Sequence, residues 1–180
     1  MLELGCGQYS TLTFLNRKVF PDLESLHSVE NDPVWAATIK ASTDADCRST
    51  LNLVRGLVAD SLTQTDLEAF DLILVDDSEN ADDRTKTIKT LLARRPQRPL
   101  VVLHDFEVPV YAKAAKVSRY RYSFRSFNPE TGIVWENQSQ KRKAFKQIDA
   151  VVRQYARKIQ PDDIRGWVDV FASAFPEESR

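Results

Sequence analysis

Apolar runs alternate with amphipathic segments along the first three quarters of the chain. Residues 70–76 and 100–104 are nearly continuous apolar runs, which are typical of parallel strands buried on both faces. Shorter segments predict three further strands, one before Gly5 and two at residues 25–30 and 50–54. Between the strands, apolar residues at helical spacing predict helices at residues 10–19, 33–41 and 80–95.

The expected helix boundaries come from capping residues and from proline. Ser10 is predicted to cap the first helix, and Asp32 the second, with Pro33 at its first position. Pro96 is expected to end the third. Alternating strands and helices of this kind favour a doubly wound, mostly parallel α/β sheet with helices on both faces, joined by right-handed crossovers.

The end of the predicted sheet departs from this alternation. Residues 120–127 alternate aromatic and polar side chains, residues 128–132 have the composition of a turn, and residues 133–136 are apolar. This pattern predicts a C-terminal antiparallel hairpin at one sheet edge. Two helices are expected to follow, at residues 139–159 and from Pro161-Asp162 onwards. We therefore expect one domain, with the sheet in residues 1–137 and C-terminal helices in residues 138–180.

Composition narrows the class of protein. The 180 residues are 42% hydrophobic and 28% charged, and the formal net charge is -1, so we expect no general attraction to nucleic acid or to membranes. No apolar run reaches the length of a membrane span, and no signal segment is recognisable, which favours a cytoplasmic protein. Cys6 and Cys47 predict neither a disulfide framework nor a metal site, and Cys6 is interpreted as a small residue in a turn.

The segment Glu3-Leu4-Gly5-Cys6-Gly7 carries the first functional signal. A Gly-x-Gly turn between a strand and a helix lets a ligand approach the backbone and the positive end of the helix. A dinucleotide site would have a third glycine where this chain has Ser10. Moreover, Glu3 would repel a pyrophosphate but suits a ligand with an amino group and a sulfonium. The turn therefore favours a cationic ligand over a dinucleotide.

This acid-x-Gly-x-Gly turn resembles motif I of the class I S-adenosylmethionine-dependent methyltransferases. The resemblance covers about residues 1–137 and extends to three later positions at strand ends. It implies a Rossmann-like methyltransferase fold and S-adenosylmethionine as cofactor. It also implies that Glu30 holds the ribose hydroxyls, that Asp60 faces the adenine, and that Asp76 corresponds to motif IV. The cofactor-binding residues expected from it are Glu3, Gly5, Cys6, Gly7, Glu30, Asn31, Asp60, Ser61 and Asp76.

Alternative interpretations exist for two of these acids. Glu30 could instead cap the helix that begins near Pro33, and Asp60 could be only a turn residue. The candidates for acceptor positioning and proton removal follow the two buried strands: they are Asp76, Asp77, His104 and Asp105. His104 has the ordinary pKa of a base, although it could equally be a packed strand-end histidine. Asp76, Asp77 and Asp105 also look like the divalent-metal site of some small-molecule O-methyltransferases, without clearly repeating its spacing.

Three further features leave alternatives open. Residues 141–158 include seven lysines and arginines, which are a solvated helix face or a contact for phosphate. Family members carry helices before the first strand, whereas Met1 begins it here, so we expect a fragment or a minimal form covered by the C-terminal helices or by a second subunit in a homodimer. Trp167, Phe171 and Phe175 are candidates for that cover.

The function expected from these residues is methyl transfer to an oxygen or nitrogen of a small-molecule acceptor, with nucleic acid an improbable acceptor. The alternative is a catalytically degenerate module of the same fold, which binds cofactor or a partner without turnover. A dinucleotide-dependent oxidoreductase is disfavoured by Glu3 and Ser10.

Overall fold

The computed structural model describes residues 1–126, 129–137, 141–156, 158–160 and 163–174. Seven strands form one sheet in the order β3-β2-β1-β4-β5-β7-β6. The strands are β1 Leu2–Leu4, β2 Leu26–Glu30, β3 Ser49–Leu53, β4 Leu72–Val75, β5 Leu100–Leu103, β6 Tyr120–Phe124 and β7 Thr131–Trp135. The first five are parallel, and β7 pairs antiparallel with both β5 and β6. The predicted sheet and its edge hairpin are confirmed.

The helices are α1 Gln8–Leu15, α2 Pro33–Thr43, α3 Val58–Ser61, α4 Ala81–Ala93, α5 Pro109–Ala114, α6 Lys141–Tyr155 and α7 Ile164–Ala174. Asp32 caps α2 as predicted, because its side chain accepts hydrogen bonds from the amides of Val34 and Trp35. The short helices α3 and α5 were not predicted. The expected start of α7 at Pro161-Asp162, and Phe175 as a cover residue, lie outside the described residues.

The predicted boundaries of the first helix are wrong. Gly7, not Ser10, is the N-cap, and the helix ends at Leu15 rather than near Val19. The start lies earlier because the Thr11 hydroxyl, one turn into the helix, accepts the Gly7 amide at 3.0 Å. The end lies earlier because Asn16 folds the chain into a turn, with its Oδ1 accepting the Lys18 amide.

Alternate strand residues face two different helical layers. On one face, strand residues such as Leu4, Ile73 and Val101 form the main core with Ile88 and Leu91 of α4. On the other face, Glu3 meets Thr11 of α1, and the rings of Tyr122 and Trp135 meet Phe145 of α6. This arrangement leaves the carboxyl ends of the parallel strands as one open edge. Among the described residues, no helix is both long and apolar enough to cross a bilayer.

Candidate active site

The loop after β1 is shaped by Gly5. Its φ is +84°, and a Cβ at this position would lie 2.2 Å from the carbonyl oxygen of Asp76. Only glycine combines this backbone conformation with so close an approach. The Gly5 amide donates to the carbonyl of Val29 at 2.8 Å, so the loop is fixed between the ends of β2 and β4.

Glu3 lies beneath this loop and is fully buried. Its Oε2 accepts hydrogen bonds from the hydroxyls of Thr11 at 2.8 Å and Ser28 at 2.6 Å. The carboxylate therefore joins β1, α1 and β2, a structural role that the sequence did not predict. Burial raises the pKa of Glu3, and the three neighbouring hydroxyls of Ser10, Ser28 and Thr11 oppose that effect. Its Oε1 has no hydrogen-bond partner among the described residues.

Glu30 connects the glycine loop to the end of β2. Its Oε2 accepts from the Cys6 amide at 3.1 Å, while its Oε1 accepts from the amides of Asn31 and Asp32 at 2.7 and 2.8 Å. Three backbone donors thus hold one carboxylate that is 5% exposed. Trp35 supports the same loop, because its Nε1 donates to the Cys6 carbonyl at 2.5 Å. Glu30 orders the backbone before α2, whose N-cap is Asp32.

A cavity of about 640 Å³ opens beside this loop. It is lined by the loop itself and by the residues that follow β2 and β4, namely Cys6, Gly7, Glu30, Asn31, Asp32, Trp35, Asp76, Asp77, Ser78, Glu79 and Arg84. Five of these residues carry carboxylates and one carries a guanidinium. An acidic wall of this kind attracts a cation and repels a pyrophosphate.

Three predicted catalytic residues come together at the ends of β4 and β5. His104 Nδ1 lies 3.4 Å from Asp76 Oδ1 and 3.1 Å from Asp105 Oδ1. The pKa of His104 is raised, chiefly by Asp76 and further by Asp105, while partial burial opposes the rise. Asp105 has a φ of +53°, which is uncommon for a residue other than glycine and frequent at functional sites.

Arg84 completes this cluster, although it belongs to no motif of the sequence. Its guanidinium lies 2.8 Å from Asp76 Oδ1 and 2.8 Å from Asp105 Oδ2, and it packs over the ring of Tyr111. Arg84 is 5% exposed. The signal was present in the spacing, because Arg84 precedes Ile88 and Leu91 by four and seven residues and so lies on the buried stripe of α4. A charged residue on such a stripe indicates a buried partner.

Asp77 lies apart from the cluster. Thr87 of α4 donates to its Oδ2 at 2.5 Å, and its Oδ1 has no partner among the described residues. Burial raises the pKa of Asp77 to about 6, although Thr87 and Arg84 oppose the shift. Cys6 is also buried, and burial together with Glu30 raises the pKa of its thiol to about 12. A thiol with that pKa is a poor nucleophile near neutral pH.

Asp60 and Ser61 lie in α3 and do not line the cavity beside the glycine loop. The Asp60 carboxylate pairs with Lys86 at 3.0 Å and is exposed. The Ser61 hydroxyl donates to the Val58 carbonyl within its own helix. Asn31 connects this region to the cavity, because its side-chain amide donates to the Gly56 carbonyl at 3.0 Å. The adenine contact expected of Asp60 and Ser61 stays a prediction.

The donors of a metal site are present, but a cation of the protein already lies among them. Oxygen and nitrogen atoms of Asp76, His104 and Asp105 lie within 4.8 Å of one another, whereas the predicted set had Asp77 in place of His104. Arg84 neutralises one oxygen of each aspartate. A divalent ion would have to displace this buried guanidinium or accept its repulsion. The cluster as it stands therefore does not fit a divalent metal.

A family model described as a methyltransferase domain matches residues 2–106, which is more than half of the chain. The chain belongs to this methyltransferase family. The resemblance of the chain to the S-adenosylmethionine-dependent methyltransferases is thereby confirmed. No curated protein matches the chain in a sequence search.

Solved structures confirm the fold at low sequence identity. A monomeric WbdD structure has a TM-score of 0.54 at 15% identity, over 75% of this chain and 35% of that protein. A putative methyltransferase from Pseudomonas syringae has a TM-score of 0.51 at 18% identity, over 76% of this chain and 85% of that one. Precorrin-6y C5,15-methyltransferase from Geobacter metallireducens GS-15 has a TM-score of 0.51 at 15% identity, over 76% of this chain and 79% of that one. The chain thus spans about a third of WbdD and most of the other two.

Proposed function

We propose that this methyltransferase transfers a methyl group from S-adenosylmethionine to an oxygen or nitrogen of a small-molecule acceptor. The observation that carries the proposal is the acidic cavity beside the glycine loop, with five carboxylates and one guanidinium in its lining. A ligand with an ammonium and a sulfonium matches that charge, whereas NAD would place a pyrophosphate against it.

Among the residues that line the cavity, Glu30 fits the cofactor directly. Glu3 is fully buried beneath the glycine loop and does not line the cavity, so its part in cofactor binding is to hold the loop in shape. Glu30 fixes the loop and presents its carboxylate to the cavity, where it is a suitable acceptor for ribose hydroxyls. When bound, S-adenosylmethionine supplies an electrophilic methyl group on a positively charged sulfur.

The cluster after β4 and β5 then provides the groups that an acceptor needs. His104 is 37% exposed at its side chain, so a bound acceptor can reach it, and its neutral form can take the proton of a hydroxyl or amine. Asp76 and Asp105 stabilise the imidazolium that forms. Arg84 holds these two carboxylates in place from behind, so it is a positioning residue rather than a base.

Calorimetry with three ligands tests the proposal. We expect S-adenosylmethionine and S-adenosylhomocysteine to bind, and NAD not to bind in this cavity, so that NAD does not displace S-adenosylhomocysteine. Glu30→Gln should weaken S-adenosylhomocysteine by about tenfold, because it loses a charge-assisted hydrogen bond. Glu24→Gln, which changes an exposed acid outside this cavity, is the matched control. Binding of NAD alone, or of none of the three, would contradict the proposal, and methyl transfer to a panel of hydroxyl and amine acceptors separates an enzyme from a binding module.

A further inference from the structure

A second cleft lies at the free edge of the sheet, between the edge strand β6 and helix α6. It has a volume of about 490 Å³, and four of its lining side chains are arginines: Arg121 and Arg125 come from β6 and the residue after it, and Arg142 and Arg153 come from α6. Two separate elements thus contribute arginines to the lining of one cleft, although the chain as a whole has a net charge of -1.

The carboxylate of Asp149, which lines this cleft, already has its hydrogen-bond and ion-pair partners. Asp149 is 3% exposed and accepts hydrogen bonds from the Tyr122 hydroxyl at 2.8 Å and the Ser126 hydroxyl at 3.1 Å. It also pairs with Arg153. A buried carboxylate held by three donors needs no further cation. Asp149 therefore accounts for Arg153 and leaves the other three arginines.

Few carboxylates balance the positive charge of those three guanidiniums. The carboxylate of Glu130 is 3.8 Å from Arg125 and already accepts the Ser123 hydroxyl at 2.9 Å. Within the described part of the chain, Arg121 and Arg142 form no ion pair. Guanidiniums bind phosphate oxygens through paired N–H groups, and they do so better than ammonium groups. The cleft thus has the charge and the donors of an anion site.

The register places the Arg125 end of this cleft at the same edge of the sheet as His104 and Asp105. Strands β5 and β6 both run antiparallel to β7 and so are parallel to each other. Gly132 of β7 pairs with Leu103 and with Ser123, so Asp105 and Arg125, each two residues further on, follow their strands at the same level. Two strand spacings separate them, which is about 10 Å. A small molecule anchored at the cleft can reach that far.

We propose that the arginine cleft binds a phosphate group of the methyl acceptor. This inference rests on the methyl transfer proposed above and narrows the acceptor to a phosphorylated small molecule. The volume of the cleft suits one or two phosphates rather than a strand of nucleic acid, and a net charge of -1 gives the chain no general attraction to such a strand. The arginines set specificity and position, while proton removal stays with His104.

Calorimetric titration with inorganic pyrophosphate at constant ionic strength tests the cleft itself. The double variant Arg121→Gln/Arg142→Gln should weaken pyrophosphate binding by about tenfold, because two charge-assisted contacts are lost. The control Arg17→Gln/Arg98→Gln removes two exposed arginines elsewhere and should change binding by less than about twofold. The inference would be overturned if both double variants lost pyrophosphate affinity equally, or if the wild type did not bind pyrophosphate. It would also be overturned if a single-stranded 20-mer oligonucleotide bound more tightly than pyrophosphate and did so through these arginines.

Two further readouts separate this inference from the proposed function. S-adenosylhomocysteine should bind the cleft variant and the wild type equally, and its failure to bind the wild type would count against the methyl transfer and not against the cleft. In a turnover panel of phosphorylated compounds and their dephosphorylated counterparts, we expect activity only with the phosphorylated members and a KM about tenfold higher in the cleft variant, with little change in kcat. Turnover of the dephosphorylated members would overturn the assignment of the acceptor. So would a complete lack of turnover in a protein that binds S-adenosylhomocysteine.

Discussion

The guanidinium of Arg84 lies 2.8 Å from the carboxylate of Asp105, and this pair joins helix α4 to the loop that follows strand β5. The same guanidinium reaches Asp76 after β4, also at 2.8 Å. Since Asp76 and Asp105 both approach Nδ1 of His104, one buried arginine fixes the geometry of the imidazole's surroundings. The chemistry proposed for this site therefore depends on a residue that need not touch the acceptor.

Substitution of Arg84 tests this dependence. Arg84→Lys keeps a charge but cannot bridge two carboxylates with a planar fork, so we expect kcat to fall by about tenfold or more. Breaking a fully buried ion pair costs about 3–5 kcal/mol. Because the two aspartates are one-third exposed, the free energy of unfolding should fall by less, roughly 2 kcal/mol. Urea unfolding and turnover measure the two effects. Arg94→Lys, at the C-cap of the same helix and away from the cluster, is the control, and equal losses in both variants would refute a specific role.

The bridging arginine also leads to a prediction about metal dependence. Because Arg84 already supplies a positive charge between Asp76 and Asp105, we expect methyl transfer to proceed without a divalent ion. Activity should change by less than about twofold when magnesium is added or when a chelator is present. Loss of activity with the chelator, and its recovery with magnesium, would show that the arginine gives way to a metal.

Gly5 and Gly56 form a natural pair for testing the cofactor loop. Both have positive φ, +84° and +87°, but a Cβ at Gly5 would lie 2.2 Å from the Asp76 carbonyl, whereas a Cβ at Gly56 would meet nothing within 4 Å. Gly56→Ala should therefore cost only the conformational penalty of about 1–2 kcal/mol. Gly5→Ala should cost more and should also weaken S-adenosylhomocysteine. Equal destabilisation of the two variants in urea would mean that the close approach is unimportant.

His104 gives the site an expected pH dependence. Its pKa is raised above the ordinary 6.5, by Asp76 first and then by Asp105. A base must be neutral, so kcat/KM should rise with pH through a value above 6.5. Asp105→Asn removes one raising charge while asparagine tolerates the positive φ, so the acid limb should move to lower pH. NMR titration of the imidazole, assigned with a His104→Gln variant, gives the pKa directly, and a limb that does not move would exclude His104 as the base.

Much of the fold was predictable because its signals are local. The apolar runs of β4 and β5 and the alternation of β6 each reflect the faces that a strand buries, and Asp32-Pro33 marks its helix start by capping chemistry alone. The start of α1 was mispredicted because two neighbouring residues compete for one role. Ser10 has a capping side chain, but the contact of Thr11 with the Gly7 amide begins the helix earlier.

The site was predictable only where it depends on strand ends. The acids after β4 and β5 could be placed together because parallel strands end at one edge of the sheet. Arg84 could not be placed with them, since its partners lie 8 residues before and 21 residues after it and only the packing of α4 brings them together. In the same way, the donors that hold Glu3 come from α1 and β2, so the sequence showed its charge but not its structural role.

Asp77 makes a contribution to stability that depends on pH. Its pKa is about 6 in the folded chain, against an ordinary value of 3.8, so the folded state binds this proton more tightly than the unfolded state does. The resulting stabilisation is full below pH 3.8 and is lost as the pH rises through about 6. Over that window it amounts to roughly 2–3 kcal/mol.

Asp77→Asn cannot titrate but still offers an oxygen to Thr87, so its free energy of unfolding, measured against that of the wild type, should rise across this window. The raised pKa of Glu3 acts in both proteins and cancels in the difference. A difference that stays constant from pH 4 to pH 7 would contradict the burial of a titrating Asp77.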